Sequence, residues 1–187
     1  MFGILVWLCV VAVGIVMLER YAANAGDAAD ALATWPGASS LERSHATATL
    51  VAVLHPACPC SRSTVAELDR IMARRGGQLR VHVLFVLPDE ASVPSLWPSD
   101  TAALAARIPG VELRVDLGGK EATLFNAKTS GQVFLYDASG ALRFDGGITP
   151  ARGHEGDSDG KAAVLAVLAG GGPERTSTAV FGCELFD

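Results

Sequence analysis

Apolar and polar positions divide the chain into stretches of different period. Residues 2–18 are seventeen successive uncharged positions, nearly all apolar, closed by Glu19 and Arg20. At 1.5 Å per residue they predict a helix of roughly 26 Å, enough to cross a hydrocarbon core of ~30 Å with local thinning. Residues 21–33 are alanine-rich, with Leu32 the only large aliphatic side chain, and Trp35-Pro36-Gly37 breaks any helix there. Residues 20–45 therefore read as a spacer.

From residue 46 the pattern becomes regular. Residues 48–54 form a short, β-branched apolar run of the kind expected of a strand buried on both faces. Val65, Leu68, Ile71 and Met72 then recur at helical spacing over 63–75, ended by Gly76-Gly77. A second buried strand is predicted over 79–87. A loop holding Pro88, Pro94, Trp97 and Pro98 leads to Ser99-Asp100, which start a helix through Arg107. A short strand follows at 111–115 and a short helix at 121–125. Residues 132–136 and 141–144 read as a hairpin around Asp137-Ala138-Ser139-Gly140. A polar, glycine-rich loop at 146–160 precedes a final helix at 162–168. The tail from 176 carries Val180, Phe181, Cys183, Leu185 and Phe186, too apolar to stand free in water. The order βαβαβαββα predicts an α/β domain with a parallel sheet, helices on both faces and a closing antiparallel hairpin. The organisation expected is an anchor at 1–19, a spacer at 20–45 and one domain with a C-terminal tail at 46–187.

Charge adds an exclusion. The formal net charge is −5 and no long Lys/Arg run occurs, so no nucleic-acid footprint is expected. The apolar N-terminus has a second reading as a cleaved signal peptide, because Ala23-Asn24-Ala25 has the small-x-small form of a cleavage site. Its length and the absence of a preceding basic region favour an uncleaved anchor. Arg20, after the span, argues weakly against export of the downstream domain. The cysteine chemistry argues the other way. The expected placement is single-pass in a bacterial cytoplasmic membrane, with the domain facing the periplasm or exterior.

Of the four cysteines, Cys9 lies within the apolar span and reads as a small filler. Cys58, Cys60 and Cys183 remain, an odd number that leaves one thiol unpaired within the chain. The densest chemistry is His55-Pro56-Ala57-Cys58-Pro59-Cys60-Ser61-Arg62, where strand gives way to helix. Thiols at a helix start face unpaired N–H groups and the positive end of the dipole, which favour the reactive thiolate. One reading is thiol-disulfide exchange with protein or small-molecule thiols, Cys58 attacking and Cys60 or Cys183 resolving. A second is a Cu(I) module built on the two close thiols, with Cys183, His55 or His154 as a further ligand. A third is a partner-binding or regulatory domain without chemistry. His55 either lowers the Cys58 pKa or packs at the strand end. Pro59 shapes the turn, Ser61 suits a helix cap, and Arg62 either favours a neighbouring thiolate or faces solvent. The long loop with Arg152, His154 and Glu155 is a second candidate contact region, although its acidic spacing lacks the full calcium-loop form.

The run Cys58-Pro59-Cys60-Ser61 with Glu67-Leu68 after it, Val115-Asp116, Phe125, and Phe134-Leu135-Tyr136-Asp137 with Gly140 resemble a thioredoxin-fold domain. The resemblance spans 46–169 and is to the membrane-anchored thiol-disulfide oxidoreductases of bacterial cytochrome maturation. It implies that Cys58 takes the attacking position and Ser61 the usual resolving position, with Cys60 between them. Gly131, after Thr129-Ser130, stands where the family has its cis-proline, removing the family's usual block to metal binding. A fainter resemblance, through the 55–62 turn and the Arg152-Gly153-His154-Glu155-Gly156 run, is to bacterial membrane proteins labelled RedB. The position of the Cys183 sulfur relative to the turn decides between a three-thiol site and an isolated pair.

Overall fold

The strand at the centre of the sheet is the one that leads into the cysteine turn. In the computed structural model, which describes residues 2–27, 31–173 and 175–186, β1 (Ala48–Leu54) pairs in parallel with β2 (Leu79–Leu87) on one side. On its other side it pairs antiparallel with β4 (Gln132–Tyr136). The edges are β3 (Val111–Leu117), parallel to β2, and β5 (Leu142–Gly147), antiparallel to β4, giving the order β3-β2-β1-β4-β5. This is a thioredoxin-like α/β sheet. The central strand is continuously apolar because both its faces are covered. Leu50, Ala52 and Leu54 meet Val65, Leu68 and Ile71 of α2 (Ser61–Arg75) and Val164 of α6 (Asp159–Leu168). Val51 and Val53 meet Phe125, Phe134 and Tyr136 on the opposite face.

The helices begin where polar groups satisfy their first N–H groups. Between β2 and β3 lie α3 (Val93–Leu96) and α4 (Asp100–Ala105), and the Ser99 hydroxyl accepts from Ala102 N–H at the start of α4. The Asp116 carboxylate at the end of β3 accepts from Glu121 and Ala122 N–H at the start of α5 (Lys120–Leu124). Ser158 caps Lys161 N–H, so α6 begins at Asp159, earlier than its apolar spacing predicts.

The N-terminal helix α1 (Phe2–Ala23) has no buried residue and a mean hydropathy of 2.5, long and apolar enough to cross a membrane. The segment after it, expected as a spacer, lies along the domain. Gly26 N–H bonds the Val180 carbonyl at 2.8 Å, and Leu142 N–H bonds that of Ala33 at 2.9 Å. The Trp35 ring stands edge-on to Phe125 and Tyr136, with centroids 5.1 and 5.3 Å away, and Leu41 is buried beside them. The reason is area. The five-residue α5 is too short to cover the aromatic face of the sheet, and Trp35 and Leu41 complete it. Trp35→Ala is expected to lower unfolding stability by about 2 kcal/mol in a denaturant titration, less than the ~3–5 kcal/mol of a fully buried aromatic because Trp35 is half-buried. A free spacer would give no change.

Candidate functional site

The turn between β1 and α2 is fastened by its own backbone. The His55 carbonyl accepts from Cys58 N–H at 3.1 Å and from the Ser61 hydroxyl at 2.9 Å, and Ser61 N–H bonds the Cys58 carbonyl at 3.1 Å. Beneath it the Ser130 hydroxyl receives His55 N–H at 2.8 Å and lies 2.9 Å from the Ser61 hydroxyl. Cys58 and Cys60 are 3% and 7% exposed, so the turn presents its thiols inward rather than to bulk water. Pro59 points outward.

What they face is the C-terminal tail. Residues 176–178 run beside the outer edge of β5, with Thr178 N–H bonding the Asp145 carbonyl and the Thr178 hydroxyl that of Gly147. The chain then crosses the loop before β4. Ser130 N–H bonds the Cys183 carbonyl at 2.8 Å, Thr129 forms an antiparallel bridge with Glu184, and Leu185 N–H bonds the Lys128 carbonyl at 2.9 Å. Gly182 makes this approach possible, because a Cβ there would run into the Ser130 carbonyl. Each main-chain bond contributes roughly 1 kcal/mol net, and the burial of Leu185 about 2 kcal/mol more. The tail is held as part of the fold.

The result is a contact between residues 125 positions apart. Cys58 Sγ and Cys183 Sγ are 2.7 Å from each other, and Cys183 N–H points at the Cys58 sulfur from 3.4 Å. Burial pushes the Cys58 thiol up. Hydrogen bonds from the Cys183 thiol and amide, the Cys60 amide and the Ser130 hydroxyl outweigh it, so Cys58 lies below the ordinary thiol range. Burial pushes Cys183 up, as does its hydrogen bond to Cys58 and the negative charge there, to about 12. Cys60 is also raised, by burial and then by the Cys58 charge, against a bond from Gly153 N–H. Cys58 is therefore the most acidic of the three thiols. In a pH series of iodoacetamide labelling read by mass spectrometry, Cys58 should have its midpoint below the ~8.5 of a free cysteine, and Cys183 above it. Equal midpoints near 8.5 would contradict this electrostatic picture.

The loop at 149–159 joins the site through Arg152. Its guanidinium donates to the Gly182 carbonyl at 2.5 Å and the Asn24 carbonyl at 2.9 Å, lies 5.3 Å from the Tyr21 ring centroid, and opposes the rise of Cys60 and Cys183. The same residue thus bridges the tail and the end of α1. The loop is pinned from below by Glu67, whose buried carboxylate accepts from Lys161 Nζ at 2.9 Å and Gly156 N–H at 2.6 Å. Lys161 also reaches the Gly156 carbonyl at 2.6 Å and Asp157 at 3.1 Å.

Other residues singled out in the sequence fall elsewhere. Arg62 borders a separate cavity of about 330 Å³ with Val65, Leu104 and Ile108. Glu155 pairs with Arg70 at 2.7 Å, and His154 Nδ1 lies 2.7 Å from the Arg152 carbonyl, both exposed. His55 Nδ1 accepts from Ala57 N–H at 3.2 Å, bracing the turn. Gly131, with φ +98°, bonds the Val53 carbonyl and packs under the Thr64 hydroxyl. Among the described residues no group of three or more His, Cys, Asp or Glu side chains is arranged to hold a metal ion. Ser130 and the Glu67–Lys161 pair were not legible as site residues. Glu67 carried a signal only as part of the run after the cysteine turn and Ser130 only by its place before Gly131, and Lys161, near the start of α6, carried none.

No protein-family model matches the chain, and no curated protein sequence does. Among solved structures, a hypothetical protein from Sinorhizobium meliloti is 26% identical, over 75% of this chain and 80% of that one, with a TM-score of 0.62. An uncharacterized conserved protein from Geobacillus kaustophilus is 15% identical over 88% of this chain and 92% of its own, also with a TM-score of 0.62. A Chlorobium tepidum protein named thiol:disulfide interchange protein DsbE is 18% identical over 78% of this chain and 99% of its own, with a TM-score of 0.47.

Proposed function

We propose that the chain is a membrane-anchored, thioredoxin-like thiol-disulfide exchange protein in which Cys58 attacks and Cys183 resolves. The observation that carries this reading is the 2.7 Å approach of the two sulfurs, with Cys58 lowered and Cys183 raised. The Cys58 thiolate attacks one sulfur of a disulfide, that S–S bond breaks, and the departing thiolate takes a proton. Cys183 then attacks Cys58 Sγ, the second thiol leaves with the Cys183 proton, and a Cys58–Cys183 disulfide remains. One disulfide is reduced by two electrons as the dithiol is oxidised. Ser61 has no thiol to resolve with, and its hydroxyl is committed to the His55 carbonyl and Ser130. Cys60 follows Cys58 by one proline, a span that strains a disulfide, and serves as the spare thiol.

In this reading α1 is the anchor and the domain lies outside the cytoplasm, where disulfides persist. The test is to treat the full-length chain in detergent with a mild disulfide oxidant and map the bond by mass spectrometry. A Cys58–Cys183 bridge with Cys60 free is expected. A Cys58–Cys60 bridge would overturn the assignment of the resolving thiol, and no intramolecular bridge would overturn the exchange reading.

A further inference from the structure

We infer that the partner of the Cys58–Cys183 pair is a small, neutral, largely apolar thiol or disulfide compound rather than an extended polypeptide. This rests on the exchange reading above. The first observation is that the chain itself occupies the main-chain edge beside Cys58. An extended peptide adds to an open edge by pairing its backbone with that edge. Here the Lys128 carbonyl, Thr129 and Ser130 N–H are already taken by Leu185, Glu184 and Cys183. The tail is held flush by Gly182, by the buried Leu185 and by the Arg152 guanidinium on the Gly182 carbonyl. A polypeptide meets its own competitor, already tethered.

The second observation is what stays open. A cavity of about 450 Å³ reaches both Cys58 and Cys183, walled by Ala57, Val86, Pro88, Gly118, Leu185 and Phe186. That volume suits a small ligand. Among the described residues, the ionisable side chains on its wall besides the thiols are His55 and Glu184, with no lysine or arginine to draw a carboxylate-bearing thiol. The Glu184 carboxylate disfavours an anionic compound, and the Val86, Pro88, Leu185 and Phe186 wall suits an uncharged one with an apolar body. The tail wall is specific to the pairing, because the Phe186 ring packs where a Cβ at Gly119 would stand. In the forward step a disulfide RSSR enters this cavity, Cys58 forms the mixed disulfide as RSH leaves, and attack by Cys183 on Cys58 Sγ releases the second RSH. The first RSH takes its proton from solvent, to which Cys58 released one on ionising, the second takes that of Cys183, and the two electrons pass from the dithiol to RSSR.

The experiment is single-turnover oxidation of the reduced full-length chain in detergent, followed by the appearance of the Cys58–Cys183 bridge. Di-n-butyl disulfide is compared with the disulfide dimer of a short extended cysteine peptide, each rate divided by that of dithiothreitol with the same compound. The normalised rate should favour the dibutyl compound by roughly tenfold or more. Gly182→Val, which drives the tail and Cys183 with it from Ser130, should slow bridge formation with both compounds but raise the rate at which the peptide dimer forms a mixed disulfide at Cys58 relative to the dibutyl compound. Ala57→Phe, on an exposed turn position, fills the cavity mouth without relying on the tail and should lower the dibutyl rate by roughly tenfold. Equal or faster normalised reaction with the peptide dimer, or no effect of Ala57→Phe, overturns this inference and leaves exchange standing. Failure of both disulfides to close the bridge overturns exchange and the inference together.

Discussion

Cys183→Ser should stop the proposed exchange reaction halfway. Cys58 still attacks a disulfide, but the mixed disulfide then waits for an external thiol. A well-oriented intramolecular group acts at effective molarities of roughly 10⁵ M or more, and even ~1 M against millimolar external thiol slows resolution about 10³-fold. The variant should accumulate a mixed disulfide visible by mass spectrometry after seconds of reaction. It should also lose the hydrogen bond that most favours the Cys58 thiolate, so the labelling midpoint of Cys58 moves up. Cys58→Ser should show neither the mixed disulfide nor the bridge, since a serine hydroxyl is not ionised at neutral pH. Cys60→Ser should keep both. If Cys60→Ser, rather than Cys183→Ser, accumulated the mixed disulfide, the roles of the two thiols would be exchanged.

Glu67→Ala should be among the most destabilising single changes in the domain, by about 3–5 kcal/mol. It leaves the Lys161 ammonium buried against α2 without its fully buried partner. Replacing both, Glu67→Leu with Lys161→Met, should recover most of the loss, because two apolar groups need no compensation. The pH dependence comes from the directions of the shifts. Glu67 is pushed up by burial but held below the ordinary carboxylate range by Gly156 N–H and Lys161. Its contribution is therefore complete above the unfolded value of ~4.3 and is lost as pH falls through its folded pKa. Lys161 is raised, against burial, by Glu67 and Asp157. Its contribution is complete below ~10.4 and is lost as pH rises through its folded pKa. Urea titrations of wild type and double variant across acid pH check this. A parallel loss of stability in both below pH 4 would show that the pair is not the acid-sensitive element.

Sequence was most informative where a local period sets the structure. Residues 48–54, 79–87 and 132–136 are strands over those spans, because continuous or alternating apolar positions are compatible with few other arrangements in the middle of a sheet. Edges were less legible. β3 extends to Leu117 and β5 to Gly147, since pairing with a neighbour carries a strand past the end of its own apolar run. The spacer expected at 20–45 shows the same limit from the other side. A weakly apolar segment has no period of its own, and Trp35 acquires a place only once Phe125 and Tyr136 are adjacent.

The sequence by itself determined the α/β order, the apolar N-terminal helix and the presence of two thiols at the start of α2, all of which depend on neighbours within a few residues. Tertiary structure alone decided which thiol faces Cys58. Cys183 is brought there by Gly182 against Ser130, by the Thr129–Glu184 bridge and by Arg152 on the Gly182 carbonyl. None of those contacts has a periodic signature. A hydrophobic period records which face of an element is buried; it does not record which distant segment will lie on the open edge beside it. That depends on backbone hydrogen bonds, which every residue type except proline offers alike.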